Sequence, residues 1–177
     1  MSTEVMSTNQ MAAITAKPAA VPTEPLRGLA AVQHIDRAIR DAFIYLDALD
    51  RRALAGIAPP IMPAQYYALA ALAQAPAQNL GELAARLLCD KGNASGLVDR
   101  LQAIGLVDRT RDPVDGRRVK ITLTPAGQAA LAQATEARAA AMLHALQSLE
   151  PAELRAAEER ISQLVGLMRA AVSAKGP

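Results

Sequence analysis

The sequence predicts a mainly α-helical fold with one small β-hairpin, in which short central helices and the hairpin lie between long N- and C-terminal helices. Three observations carry that prediction. Apolar residues recur at spacings of three and four through most of 29–173, the signature of helices with one buried face. The period changes only over Val107–Arg111 and Val119–Leu123, where Val119, Ile121 and Leu123 alternate with Lys120 and Thr122. Finally, Asn79, Asp90 and Thr124 and the prolines Pro63, Pro125 and Pro151 fall where one periodic stretch gives way to the next, as N-caps and first-turn residues do.

Taken in order, residues 1–28 hold Pro18, Pro22 and Pro25 among Ala, Thr, Ser and Met without a sustained period, and are expected to be a flexible tail. Residues 29–60 are expected to form an N-terminal dimerisation helix. Val32, Ile35, Ile39, Ala42, Leu46, Leu49 and Ala53 share a face, and Gly56, Pro59 and Pro60 end the segment. The next unit spans 61–124. Pro63 opens a helix to about Gln74, and Asn79 with Glu82 makes a capping box for a short helix whose buried side is Leu83, Ala84, Leu87 and Leu88. Asp90 caps a helix from Lys91 to Ala103, with Ala94, Leu97, Val98, Leu101 and Ile104 inward and Gly105 after its end. Two strands follow, joined through the turn signals Asp112-Pro113 and Asp115-Gly116.

Residues 125–177 are expected to be C-terminal dimerisation helices, the first running from Pro125 to about Leu149 and the second opening at Pro151. In the last helix Leu154, Ile161 and Met168 are seven apart, with Ala157, Leu164 and Ala171 between them, a short a/d seam. Core packing accounts for such a seam as well as a helical partner does. Yet a chain of 177 residues has little other core to offer two long terminal helices, which favours a second copy.

Composition narrows the function. Net charge is +2, and the acids and bases balance everywhere except 79–124, where eight bases meet six acids. The excess is sharpest around the hairpin, where Arg109, Arg111, Arg117, Arg118 and Lys120 face only Asp112 and Asp115. A balanced chain with one basic loop region points to a local anionic partner, although a solvated charged hairpin would read the same. The single cysteine and two histidines exclude a disulfide framework and make a metal centre implausible. No phosphate loop, catalytic carboxylate pair or nucleophile–base motif is present, so neither an enzyme nor a cofactor is expected. No apolar run approaches a membrane span and Glu4 precedes any base, so a soluble cytoplasmic protein is expected.

A short helix, a tight turn, a second helix and a basic hairpin make a winged helix-turn-helix. Here the sequence resembles the MarR family of bacterial transcriptional regulators. Asp115-Gly116-Arg117-Arg118-Val119-Lys120-Ile121-Thr122-Leu123-Thr124 fits that family's wing pattern D-x-R-x-x-x-x-x-L-T. Asn93 to Leu101 followed by Gly105-Leu106-Val107 is similar to its recognition helix and exit, and Gln65-Tyr66 with Leu69 and Leu72 to the start of its second helix. The resemblance covers about 29–173 and implies a homodimeric regulator, most often a repressor, bound to double-stranded DNA at a pseudo-palindromic operator.

Groove geometry assigns expected roles. The N-terminal part of a major-groove helix lies closest to base edges, and here it carries Lys91, Asn93, Ser95 and Gly96. Asn93 is equally suited to a local cap. Arg100 is expected on phosphate, with pairing to Asp99 as the alternative. Arg117 suits a narrow minor groove, where negative potential is concentrated, and the resemblance implies that Asp115 holds the wing's shape. Arg109, Arg111, Arg118 and Lys120 are expected on phosphates, or else are idle surface charge.

The resemblance also implies a small aromatic effector, for which His34, Arg37, Phe43, Tyr66 and Tyr67 are the candidate contacts. The alternative is that Phe43 and one tyrosine plug the join between lobes. Cys89 is expected as a buried filler at the helix-turn-helix bend, because a thiol beside Asp90 ionises poorly; thiol-based sensing is the less favoured reading. A winged helix used only for protein–protein contact is the remaining alternative, disfavoured by the bases around the hairpin.

Overall fold

The computed structural model describes residues 28–75, 79–111 and 119–174. The described residues fall into two units that divide between Asp41 and Ala42. Helix α1 (Leu29–Leu54) contributes its first turns to the first and its last to the second. In the first unit it carries exposed Leu29, Val32 and Ile35 and an Arg40–Asp36 ion pair one turn apart. Its closing turns bury Asp50 and Leu54.

The second unit continues through α2 (Pro63–Gln74), α3 (Leu80–Arg86), α4 (Lys91–Ala103), β1 (Val107–Arg111), β2 (Val119–Leu123), α5 (Pro125–Leu146) and α6 (Pro151–Ser173). Helix α2 is the hub, packing against α3, α4, α5 and β2. It is apolar nearly all round and buries Tyr66, Ala68, Leu69, Ala71 and Leu72, as a helix enclosed by neighbours must. With Leu54, Leu83, Val98, Leu101, Leu106, Val107 and Ile121 these residues form one core.

Local signals set the boundaries. The Asn79 side chain accepts from the Glu82 backbone N–H, and the Glu82 carboxylate accepts from that of Asn79, both at 3.0 Å. This reciprocal box satisfies donors that α3 would otherwise leave open. Met62 N–H donates to the Gln65 side chain at 2.8 Å, and Pro63 occupies the first helical turn.

Four expectations need correction. Helix α5 ends at Leu146, a turn short of Leu149. Leu88 is 80% exposed: it follows the end of α3 with φ +51, and Cys89 N–H returns to the Ala84 carbonyl. This is a Schellman-type reversal with leucine at the position that favours glycine, and the left-handed residue turns its side chain out of the core. Ile104 is exposed because it lies beyond the last turn of α4, beside Gly105 at φ +75. Cys89, expected as core filler, is only half-buried at the bend.

Candidate nucleic-acid interface

Helix α4 is held by its inner face and its cap. Ala94, Val98 and Leu101 are fully buried, leaving Lys91, Gly92, Asn93, Asp99 and Arg100 exposed and Ser95 and Gly96 half-buried. Asp90 caps it, accepting from the Asn93 backbone N–H at 2.9 Å and from the Asn93 side-chain amide at 2.6 Å. The Asn93 side chain is thus engaged as a local cap partner. A Cβ on Gly96 would meet nothing nearer than the Arg100 guanidinium at 3.9 Å. No packing among the described residues demands glycine there, although it costs helix stability of about 1 kcal/mol relative to alanine.

The hairpin leaves α4 through Gly105 and pairs antiparallel, with Val107 opposite Leu123, Arg109 opposite Ile121 and Arg111 opposite Val119. Val107 and Ile121 are buried and clamp its base, while Arg111 is exposed. Thr124 closes that base. Its backbone N–H donates to the Leu106 carbonyl, its hydroxyl donates to the Gly105 carbonyl, and the same oxygen accepts from Gly127 N–H to cap α5. A Cβ on Gly127 would overlap the Leu106 carbonyl oxygen, so the start of α5 can lie this close to the hairpin only with glycine.

Arg109 donates to Asp99 at 2.6 Å. The alternative pairing considered for Asp99, with Arg100, is not the one observed, and Arg109 is engaged within the chain. The tip of the hairpin, with Asp115, Arg117 and Arg118, lies outside the described residues.

With this geometry in view, a family model described as the MarR family matches residues 60–118. An uncharacterized HTH-type transcriptional regulator of Bacillus subtilis, YsmB, is 28% identical over 104 residues, covering 59% of this chain and 71% of its own. The structure of a MarR family protein from Bacillus stearothermophilus superposes with a TM-score of 0.71 at 26% identity, over 81% of this chain and 99% of that one. The transcriptional repressor CouR, solved bound to a 23-mer DNA duplex, gives 0.67 at 26% identity, over 81% and 99%. Residues 60–118 match the MarR family, and the fold is that of MarR-family winged-helix proteins. Its winged helix is that of a DNA-binding transcriptional regulator, and both family and fold are those of regulators that are not enzymes.

The aromatic candidates separate. Tyr66 is buried, and the Arg138 guanidinium lies 4.2 Å from its ring centroid, within cation–π range. The Tyr67 hydroxyl donates to Asp50 at 2.8 Å, and Arg138 grips the same carboxylate with two nitrogens at 2.6 and 2.9 Å. Burial and the hydrogen bond to Asp50 hold the Tyr67 hydroxyl above its ordinary pKa. Phe43 is 72% exposed, so it plugs nothing within the second unit. His34 and Arg37 are exposed on the part of α1 in the first unit.

The Tyr67 ring also walls an open cleft of about 370 Å³ with Ala64, Leu87, Cys89, Asn93, Leu97 and Arg100. Sequence reasoning missed most of these residues, because they converge from α2, the bend and α4. It missed the Asp50–Arg138 pair too, 88 residues apart. The available signal was a charge set beside each apolar stripe, Asp50 next to Leu49 and Arg138 next to Ala137, with opposite signs.

Proposed function

We propose that the protein is a cytoplasmic homodimer that binds a pseudo-palindromic operator and represses transcription until a small aromatic or phenolic ligand releases it. The observation that carries the reading is the exposed edge of α4, with Lys91 and Arg100, beside a hairpin bearing exposed Arg111. Lys91, Ser95 and Gly96 meet the major groove. Arg100, Arg111, Arg118 and Lys120 take phosphates, and Arg117 enters the minor groove on a wing shaped by Asp115. Two-fold symmetry places the half-sites about 10 bp apart.

Support for the dimer comes from apolar surface left without cover. Helix α6 buries no residue, and Ile161, Val165, Leu167, Met168 and Val172 are exposed along it. Support for ligand response comes from the cleft beside α4. It offers an aromatic wall in Tyr67 and a cation in Arg100, the pairing that an aromatic carboxylate needs. A ligand seated there competes with phosphate for Arg100 and favours the state that mismatches the operator.

Fluorescence anisotropy tests the reading, with DNA from immediately upstream of the coding region against a scrambled duplex at two salt concentrations. Salt-sensitive binding that prefers the native duplex is expected, with release by 4-hydroxybenzoate or a related phenolic acid. No binding even at low salt would overturn it and leave a protein–protein adaptor.

A further inference from the structure

We propose that Asp99 and Arg109 form a strut that sets the angle of the hairpin against the recognition helix, so that Arg109 acts as a positioning residue and not as a phosphate contact. The inference rests on DNA binding but concerns a part of the molecule that can be measured without DNA.

Asp99 projects from α4 and Arg109 from β1, and their ion pair spans the two elements at 2.6 Å. The Arg109 side chain is 29% exposed and Asp99 57%, so the arginine lies along the inner side of the hairpin while the acid reaches in from the rim. Arg109 also lines an open cleft of about 290 Å³ with Leu80, Ser95, Val119 and Ile121. Buried Val107 and Ile121 anchor the hairpin's base, but above them, among the described residues, Val119 is 43% exposed beside that cleft. In that position a polar tie fixes a tilt that apolar contact leaves loose. The consequence travels outward, because Arg111 is two residues beyond Arg109, about 7 Å at strand rise, and leads into the tip. Ser95, lining the same cleft, belongs to this seat as much as to the groove-facing edge.

Electrostatics supplies the second argument. An unpaired acid on a helix that enters DNA repels phosphates and weakens binding at every sequence. Asp99 is tolerable there because Arg109 neutralises it, and the neutralisation uses up the very cation that would otherwise meet the backbone.

The two roles give opposite results for Asp99→Asn. If Arg109 were a phosphate contact, removing the acid would free it and tighten binding. The strut requires the reverse: affinity for the upstream duplex falls about 3- to 5-fold, the range an exposed ion pair supports. Arg109→Gln should weaken binding by a similar factor while leaving the slope of log K against log salt unchanged. Loss of a phosphate contact would lower that slope by about 0.9. Joining Asp99→Arg with Arg109→Asp should restore much of the affinity.

In the DNA-free protein, Asp99→Asn should speed amide hydrogen exchange in Val107–Arg111 and Val119–Leu123 and leave α5 unchanged. Tighter binding by Asp99→Asn, a reduced salt slope in Arg109→Gln, or unaltered exchange in the strands would each overturn the strut. If the wild type fails to bind the duplex, that counts against the DNA reading alone, and the exchange experiment still decides the strut.

Discussion

Helices α4 and α6 differ in almost everything except their secondary structure. Helix α4 has 13 residues and buries Ala94, Val98 and Leu101 completely; α6 has 23 and buries none. A helix in water gains most of its stability from the apolar face it packs, so α4 is accounted for within one chain and α6 is not. The contrast separates a helix that folds the DNA-binding lobe from one whose apolar face is left exposed. It also separates the two interelement ion pairs found among the described residues. Asp50–Arg138 is a buried, two-pronged link between α1 and α5, with the carboxylate 4% exposed. Asp99–Arg109 lies at the surface beside the interface.

The largest effect expected on this comparison is at Asp50. Asp50→Asn leaves the Arg138 guanidinium without its charge partner, and chemical denaturation should show a loss of about 3–5 kcal/mol. A loss below 1 kcal/mol would mean that the lobe does not depend on this link. Next is the unclad surface of α6. Ile161→Asp together with Met168→Asp should turn a dimer into a monomer in sedimentation velocity while the winged lobe keeps its native-state hydrogen exchange. A variant that remains dimeric would place the partner surface elsewhere.

Gly96→Ala should act in opposite directions on the two properties of α4. With open space for the methyl group, stability should rise by up to about 1 kcal/mol, while operator affinity falls because the methyl group lies at the groove-facing edge. Increased stability with unchanged affinity would remove Gly96 from the interface.

The smallest effect concerns pH. The Tyr67 pKa is raised from its usual 10.0 by burial first and the bond to Asp50 second. The folded protein therefore holds this proton more tightly than the unfolded chain. The resulting stability is fully present below pH 10 and is lost as pH rises through the folded value. Melting temperatures of wild type and Tyr67→Phe should accordingly converge above pH 10; a constant difference would detach Tyr67 from the Asp50 link.

Much of the lobe was legible in advance. Asn79, Asp90 and Thr124 act as caps where the sequence placed them, because a cap is a contact over three residues and its chemistry is local. Both strands run as the change of period indicated. Leu88 was misread because a Schellman reversal normally announces itself with glycine, and a leucine in the left-handed region gives no such signal. The pairing of Arg109 with Asp99 was not foreseen for a different reason. A count of bases around the hairpin treats each as a free charge, whereas its partner Asp99 comes from the preceding helix.

By itself the sequence determined the order and the starts of the helices, the hairpin and its register-setting alternation, and the family resemblance, since each depends on neighbours within a few turns or on a contiguous motif. Only the tertiary structure decided which charges are engaged and where the clefts lie. Asp50 with Arg138, Asp99 with Arg109, and Tyr67 with Arg100 are brought together by the packing of α2, α4 and α5 about one core. A charge's role depends on what faces it through space, and that distance is set by the fold, not by position along the chain.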